Sequence, residues 1–137
     1  RDQLTDLLLQ IKTNIQQFNT SVELSAAVKP DKTVAYDYYF QDWGNWISDG
    51  ICDHILIMNY DTVMANFNKN ITFDFNYDTS SKIVIGISTF NQNFQAVLDK
   101  IELVNSNKNA GYAIFSYNHL KDNQMYLKNL RIGLSNQ

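Results

Sequence analysis

One cysteine, Cys52, stands alone in 137 residues. Neither a disulfide framework nor a cysteine-rich zinc cluster can form from it, and it says little about redox compartment. Proline occurs once and glycine five times, too sparsely for a disordered or low-complexity chain. No apolar run approaches the roughly 18 residues of a membrane-spanning helix. No glycine-rich loop follows an apolar run, which removes the signature of a nucleotide-binding sheet. Arginine is confined to Arg1 and Arg131, and the abundance of asparagine reads as genomic base composition. With a net charge of -3 the chain is not expected to bind nucleic acid generally. It opens on Arg1 rather than Met and carries no secretory leader, so a mature or trimmed piece of a longer protein is expected.

What is present is a core. The sequence is 45% hydrophobic and 13% aromatic, and its length suits one domain spanning 1–137. Leu4, Leu7, Leu8, Ile11, Ile15 and Phe18 recur at helical spacing and predict an amphipathic helix over 3–18. Tyr36, Tyr39, Phe40, Trp43, Trp46 and Ile47 predict a second helix, closed by Gly50. Phe94, Val97, Leu98, Ile101 and Val104 predict a third, and Leu120, Leu127 and Leu130 a last one over about 119–131. Between them lie four short apolar runs: 21–28, 54–60, 82–88 and 111–117. Residues 61–80 read as a polar and aromatic loop with room for a short helix.

The runs start near 21, 54, 82 and 111, steps of about the thirty residues of one βα unit. They are continuous rather than alternating, the pattern of parallel strands buried on both faces. The expected class is therefore α/β, with parallel strands alternating with helices. Two architectures fit: a small open parallel sheet, or four βα units forming half of a (β/α)8 barrel. In both, ligands meet the C-terminal ends of the strands.

Those ends carry the candidate chemistry. "ILIMNYDT" runs from strand core straight into Asn59, Tyr60 and Asp61. Lys29, Ser88, Asn91 and Tyr117 occupy the other predicted ends. Amides, hydroxyls and phenols suit hydrogen bonding to a polar ligand. Asp61 is the candidate acid, with a turn or helix-capping role as its alternative. Asp31 follows Pro30 and reads as a turn residue. Trp43 and Trp46 sit at core spacing. His54 and Asp53 precede a strand, on the end that such folds use for stability. His119 follows the last strand and reads as a capping residue or a ligand contact. No metal site or cofactor is expected.

"DWGNWISDGICDHILIMNYD", 42–61, resembles a stretch of the glycosyl-hydrolase-like family 10 proteins, through Trp43, Trp46, Gly50, Asp53 and Tyr60. "IVIGIST", 83–89, and "GYAIFSYNHL", 111–120, resemble that family's next and last strands, and "VELSAAVKP" its preceding one. The resemblance covers about 20–120. Asp61 departs from it, where the family has an aromatic, and "MN" stands where it has proline and glutamine. "MNYD" also resembles the sixth strand of family 18 chitinases, whose acid motif has no counterpart here. The resemblance implies the C-terminal half of a TIM (β/α)8 barrel from a bacterial, secreted or lipid-anchored carbohydrate enzyme. It implies a glycoside hydrolase acting on a poly- or oligosaccharide at the cell surface or outside the cell. The alternative is a non-catalytic glycan-binding or surface module. A half-barrel leaves edges and an inner face open, so self-association, or packing with a missing N-terminal half-barrel, is expected.

Overall fold

The computed structural model describes residues 2–107 and 109–135; Arg1, the first residue of the sequence, lies outside this range. Helix α1 (Asp2–Phe18) leads into β1 (Ser25–Val28). Two helices, α2 (Lys32–Tyr39) and α3 (Trp43–Ser48), connect it to β2 (His54–Met58). Then come α4 (Met64–Lys69), α5 (Tyr77–Ser80) and β3 (Ile83–Ser88). Helix α6 (Phe94–Ser106) precedes β4 (Gly111–Phe115), which is followed by α7 (Tyr117–Asp122) and α8 (Gln124–Ser135).

The strands form one parallel sheet in the order β1-β2-β3-β4. Val28 pairs with Ile57, Ile57 with Ile85 and Ile85 with Tyr112. The sheet is open. Its order never reverses, as it does in a doubly wound fold. Right-handed crossovers between successive neighbours place every connecting helix on the same face. This is the arrangement of half a βα barrel.

Only that helix-bearing face is covered. Val28, Ile55, Ile57, Ile83, Ile85 and Ile87 are buried on it, with Trp43, Trp46, Phe67, Val97 and Ile101 above them. On the other face Leu56, Met58 and Val84 are half-buried, and none of them joins the core. The continuous apolar runs predicted burial on both faces, and here the structure differs. A strand of a barrel shows the same apolar run because its second face meets the lumen rather than a helix layer.

The helix expected across 36–47 is two. Phe40 adopts a left-handed conformation (φ 57°) at the end of α2, and the chain restarts at α3. Asp31 caps α2 by accepting a hydrogen bond from Val34 N–H at 2.9 Å. Gly50 takes φ 70° just beyond α3, where a side chain would be strained. The last helix is also split, into α7 and α8 at Asn123.

Asp53 fastens the N-terminal end of the sheet. Its carboxylate accepts from Leu24 N–H and from Lys12 Nζ, each at 2.8 Å, joining α1 to the entries of β1 and β2. Burial works against ionisation, but the Lys12 and Leu24 hydrogen bonds outweigh it, and the carboxyl titrates below the usual range. A depressed folded pKa contributes stability above the unfolded value of about 3.9, lost as pH falls through the folded value. Asp53→Asn should therefore cost about 1 kcal/mol at pH 7. Urea titrations of both proteins from pH 7 to pH 3 check this. The difference should shrink below about pH 4; an unchanged difference would show that the charge is not what matters.

Candidate functional site

The C-terminal ends of β2, β3 and β4 converge on an aromatic cluster. Tyr60 lies two residues beyond Met58, so the alternation of β2 directs it to the uncovered face. Its ring lies against Gly86 of β3, whose backbone leaves the room. It stacks on Phe115, the last residue of β4, with centroids 5.2 Å apart and planes 10° from parallel. Phe90 meets both rings edge-on, at 6.1 Å from Tyr60 and 6.2 Å from Phe115. Phe90 stays 52% exposed and Phe115 50%. Apolar rings held together yet open to solvent are poised for a ligand with an apolar face.

A polar network holds the cluster from behind. Ser88 Oγ donates to Asn91 Oδ1 at 2.6 Å, and Asn91 Nδ2 donates to Tyr60 O at 3.1 Å, tying the β2 and β3 turns together. Gln92 Nε2 donates to Ser88 O. Lys100, on α6, is 1% exposed. Its ammonium donates to Asp61 O at 2.7 Å and to Gln92 Oε1, and lies 5.0 Å from the Phe67 ring centre. Desolvation lowers its pKa, opposed by the nearby Asp61 charge. Burial likewise pushes the Tyr60 phenol up.

The sequence-derived candidates are placed as follows. Tyr60, Asp61, Ser88 and Asn91 come together at the β2 and β3 ends. Asp61 is half-buried, and its Oδ1 accepts from Val63 N–H at 2.8 Å in a tight turn. Asn59 is buried; it donates to Phe67 O at 3.0 Å and accepts from Asn70 at 3.1 Å, so its amide anchors α4. Ser88 is buried too. Tyr117 opens α7 and is exposed. Lys29 belongs to the β1 end, where its N–H donates to Gln41 Oε1 at 2.9 Å and its ammonium lies 4.9 Å from the Tyr39 ring centre. His119 does not cap α7; Ser116 does. The imidazole meets Thr89 Oγ1 at 3.0 Å and packs edge-on against Tyr126. Tyr126 donates to Gln92 O at 3.1 Å, and burial pushes its phenol up to about 12.

Sequence reasoning missed Phe90, Phe115, Gln92 and Lys100. A signal existed for two of them. Phe115 shares strand parity with Ala113 and Gly111, which puts it on the uncovered face. Lys100 lies on the apolar stripe of Val97, Ile101 and Val104, where a lysine needs buried acceptors. Among the described residues no cluster of three or more metal-binding side chains occurs, and no helix is long and apolar enough to cross a membrane. No family model, no curated protein and no solved structure matches the chain.

Proposed function

We propose that the chain is the sugar-holding half of a carbohydrate-active βα barrel, with a poly- or oligosaccharide lying across Tyr60, Phe90 and Phe115. The observation that supports this reading is the half-exposed ring cluster at the C-terminal end of a parallel sheet, where such folds bind ligands. The C–H face of a pyranose is apolar and stacks on an aromatic face, while its hydroxyls turn outward to polar groups. Asn91, Asp61 and Tyr117 are the polar groups of the same rim with exposed or half-buried side chains. In the glycoside hydrolase form of this reading, Asp61 is one carboxylate of the pair that hydrolysis requires. The other strand-end carboxylate, Asp31, is spent on capping α2, so the second comes from the rest of the barrel.

One observation favours the non-catalytic alternative: Asp61 already accepts from Val63 N–H, a turn role that needs no chemistry. The two readings part on Asp61→Asn. Glycan-array binding and a turnover assay should both be run on the chain and on any longer protein found to hold the rest of the barrel that this reading calls for. The enzyme reading expects turnover in the longer protein, lost in Asp61→Asn with binding kept. The binding reading expects glycan capture without turnover in either. Under both, Phe115→Ala should weaken glycan binding about tenfold, or ~1.4 kcal/mol. If no glycan is retained by either protein, the proposal fails.

A further inference from the structure

Lys29 continues β1 by one residue. Val28 is buried against the helices, so strand alternation turns Lys29 to the uncovered face, where Tyr60 and Phe115 also lie. Register fixes the spacing. Val28 pairs with Ile57, Met58 with Gly86 and Ser88 with Phe115. Tyr60 and Phe115 therefore stand level, and Lys29 stands one strand to the side of Tyr60 and two residues lower. Neighbouring strands lie about 4.8 Å apart and each residue rises about 3.3 Å, so the Lys29 and Tyr60 backbones are roughly 8 Å apart. From Lys29 to Phe115 the row crosses the ends of all four strands, a span of roughly 15 Å. That is a track for a chain of sugars rather than for a single one.

Lys29 is held at one end of this track. Its ammonium lies 4.9 Å from the Tyr39 ring centre, and its backbone N–H donates to Gln41 Oε1 at 2.9 Å. Gln41 N–H in turn donates to Ala35 O at 2.9 Å, after the left-handed turn at Phe40. Lys29 is half-buried. Among the described residues no carboxylate pairs with its ammonium, and no acceptor takes its three N–H donors. Asp31 accepts from Val34 N–H and Asp61 from Val63 N–H, and neither forms an ion pair with Lys29. Lys32 is turned to the helix layer instead, its ammonium 4.4 Å from the Phe75 ring centre. A half-buried ammonium has given up part of its hydration. The Tyr39 ring face replaces only some of it, whereas an anion would accept its hydrogen bonds and match its charge.

We infer that the ligand of this rim is an acidic oligosaccharide. One sugar stacks on Phe90 and Phe115, and a carboxylate or sulfate farther along the same chain accepts from Lys29 Nζ. The inference rests on the glycan reading and adds to it the charge of the glycan. The net charge of the chain is -3, so general attraction to anions does not produce the selection; it comes from this one ammonium, and it is local.

A glycan array printed with matched pairs tests it: uronate oligosaccharides beside their neutral methyl esters, and sulfated chains beside their desulfated forms. The wild type should hold the acidic member of a pair at least about tenfold more tightly than the neutral one. Preference within the uronate pairs or within the sulfated pairs tells which anion is read. Lys29→Gln should erase the preference and leave the weak binding of the neutral member, while Lys29→Arg should keep it. Phe115→Ala should weaken both members of a pair alike. Raising the salt to about 0.5 M should loosen the acidic glycan from the wild type and leave the neutral one unaffected, a measurement that needs no variant. Equal binding of acidic and neutral members, a preference that survives in folded Lys29→Gln, or acidic binding that ignores salt would each overturn this inference and leave the glycan reading standing. Retention of no glycan at all would end both.

Discussion

Gly86→Ala should lower stability by about 2–3 kcal/mol, a fall of roughly 10 °C in melting temperature. A Cβ built on Gly86 lies 2.9 Å from Ile57 O, 3.5 Å from Met58 Cα and 3.4 Å from Tyr60 Cε1. The first two are backbone atoms of the neighbouring strand, held by sheet hydrogen bonds, and they cannot retreat without distorting the β2–β3 pairing. The third is the ring that builds the candidate site, so the substitution also pushes Tyr60 from its stacking position on Phe115. Calorimetry and near-ultraviolet circular dichroism should therefore change together. Gly133→Ala is the control. Its Cβ would approach Leu98 Cδ1 at 2.2 Å, Cδ2 at 2.9 Å and Cγ at 3.1 Å, so the whole buried leucine must shift, but no backbone of a neighbouring element has to. Alanine also gains up to about 1 kcal/mol of helix propensity inside α8. Gly133→Ala should therefore cost about 1–2 kcal/mol, less than Gly86→Ala. If Gly133→Ala proves the more damaging of the two, the steric argument is wrong.

Lys100→Met should cost about 2 kcal/mol and loosen the turn that carries Asp61. Two effects compete. Methionine removes a desolvated ammonium, which by itself stabilises, and its length suits the space over Phe67. Against this, Asp61 O and Gln92 Oε1 lose their donor in a site that water does not reach freely, and each orphaned acceptor costs about 1–3 kcal/mol. The two acceptors outweigh the one ammonium, because the ammonium already recovers part of its solvation from them and from the Phe67 ring. Amide exchange at Thr62 and Val63 should accelerate in the variant, while exchange in the β3 strand stays at the wild-type rate. Equal stability, with unchanged exchange at Thr62 and Val63, would mean that Lys100 does not hold this turn.

Much of the fold was legible in the residues themselves. Helix α6 follows from Phe94, Val97, Leu98, Ile101 and Val104 at helical spacing; its cap, Asn93 accepting from Ala96 N–H, is seen only in the structure. The four strands follow from short apolar runs at βα-unit intervals, and the buried positions of Trp43 and Trp46 from their spacing with Ile47. These features are local: a periodicity or a cap is written within one turn or one strand and needs no knowledge of what lies opposite. Asn59, Tyr60 and Asp61 were legible as a strand exit for the same reason.

The rest depended on strand order and register. A continuous apolar run such as "ILIM" is the same whether its second face meets helices, a barrel lumen or solvent. The order β1-β2-β3-β4, with all connecting helices on one face, decided that. Phe90 and Phe115 are 25 positions apart in sequence, and register brings them together on either side of Tyr60. The break at Phe40 was decided by a single left-handed residue, which periodicity does not reveal. By itself the sequence determined which segments become strands and helices and which residues stand at their ends. The tertiary structure decided which sheet face stays open and which rings meet there. Helix and strand propensities act over a few residues, whereas a surface is made by segments that only the whole chain brings side by side.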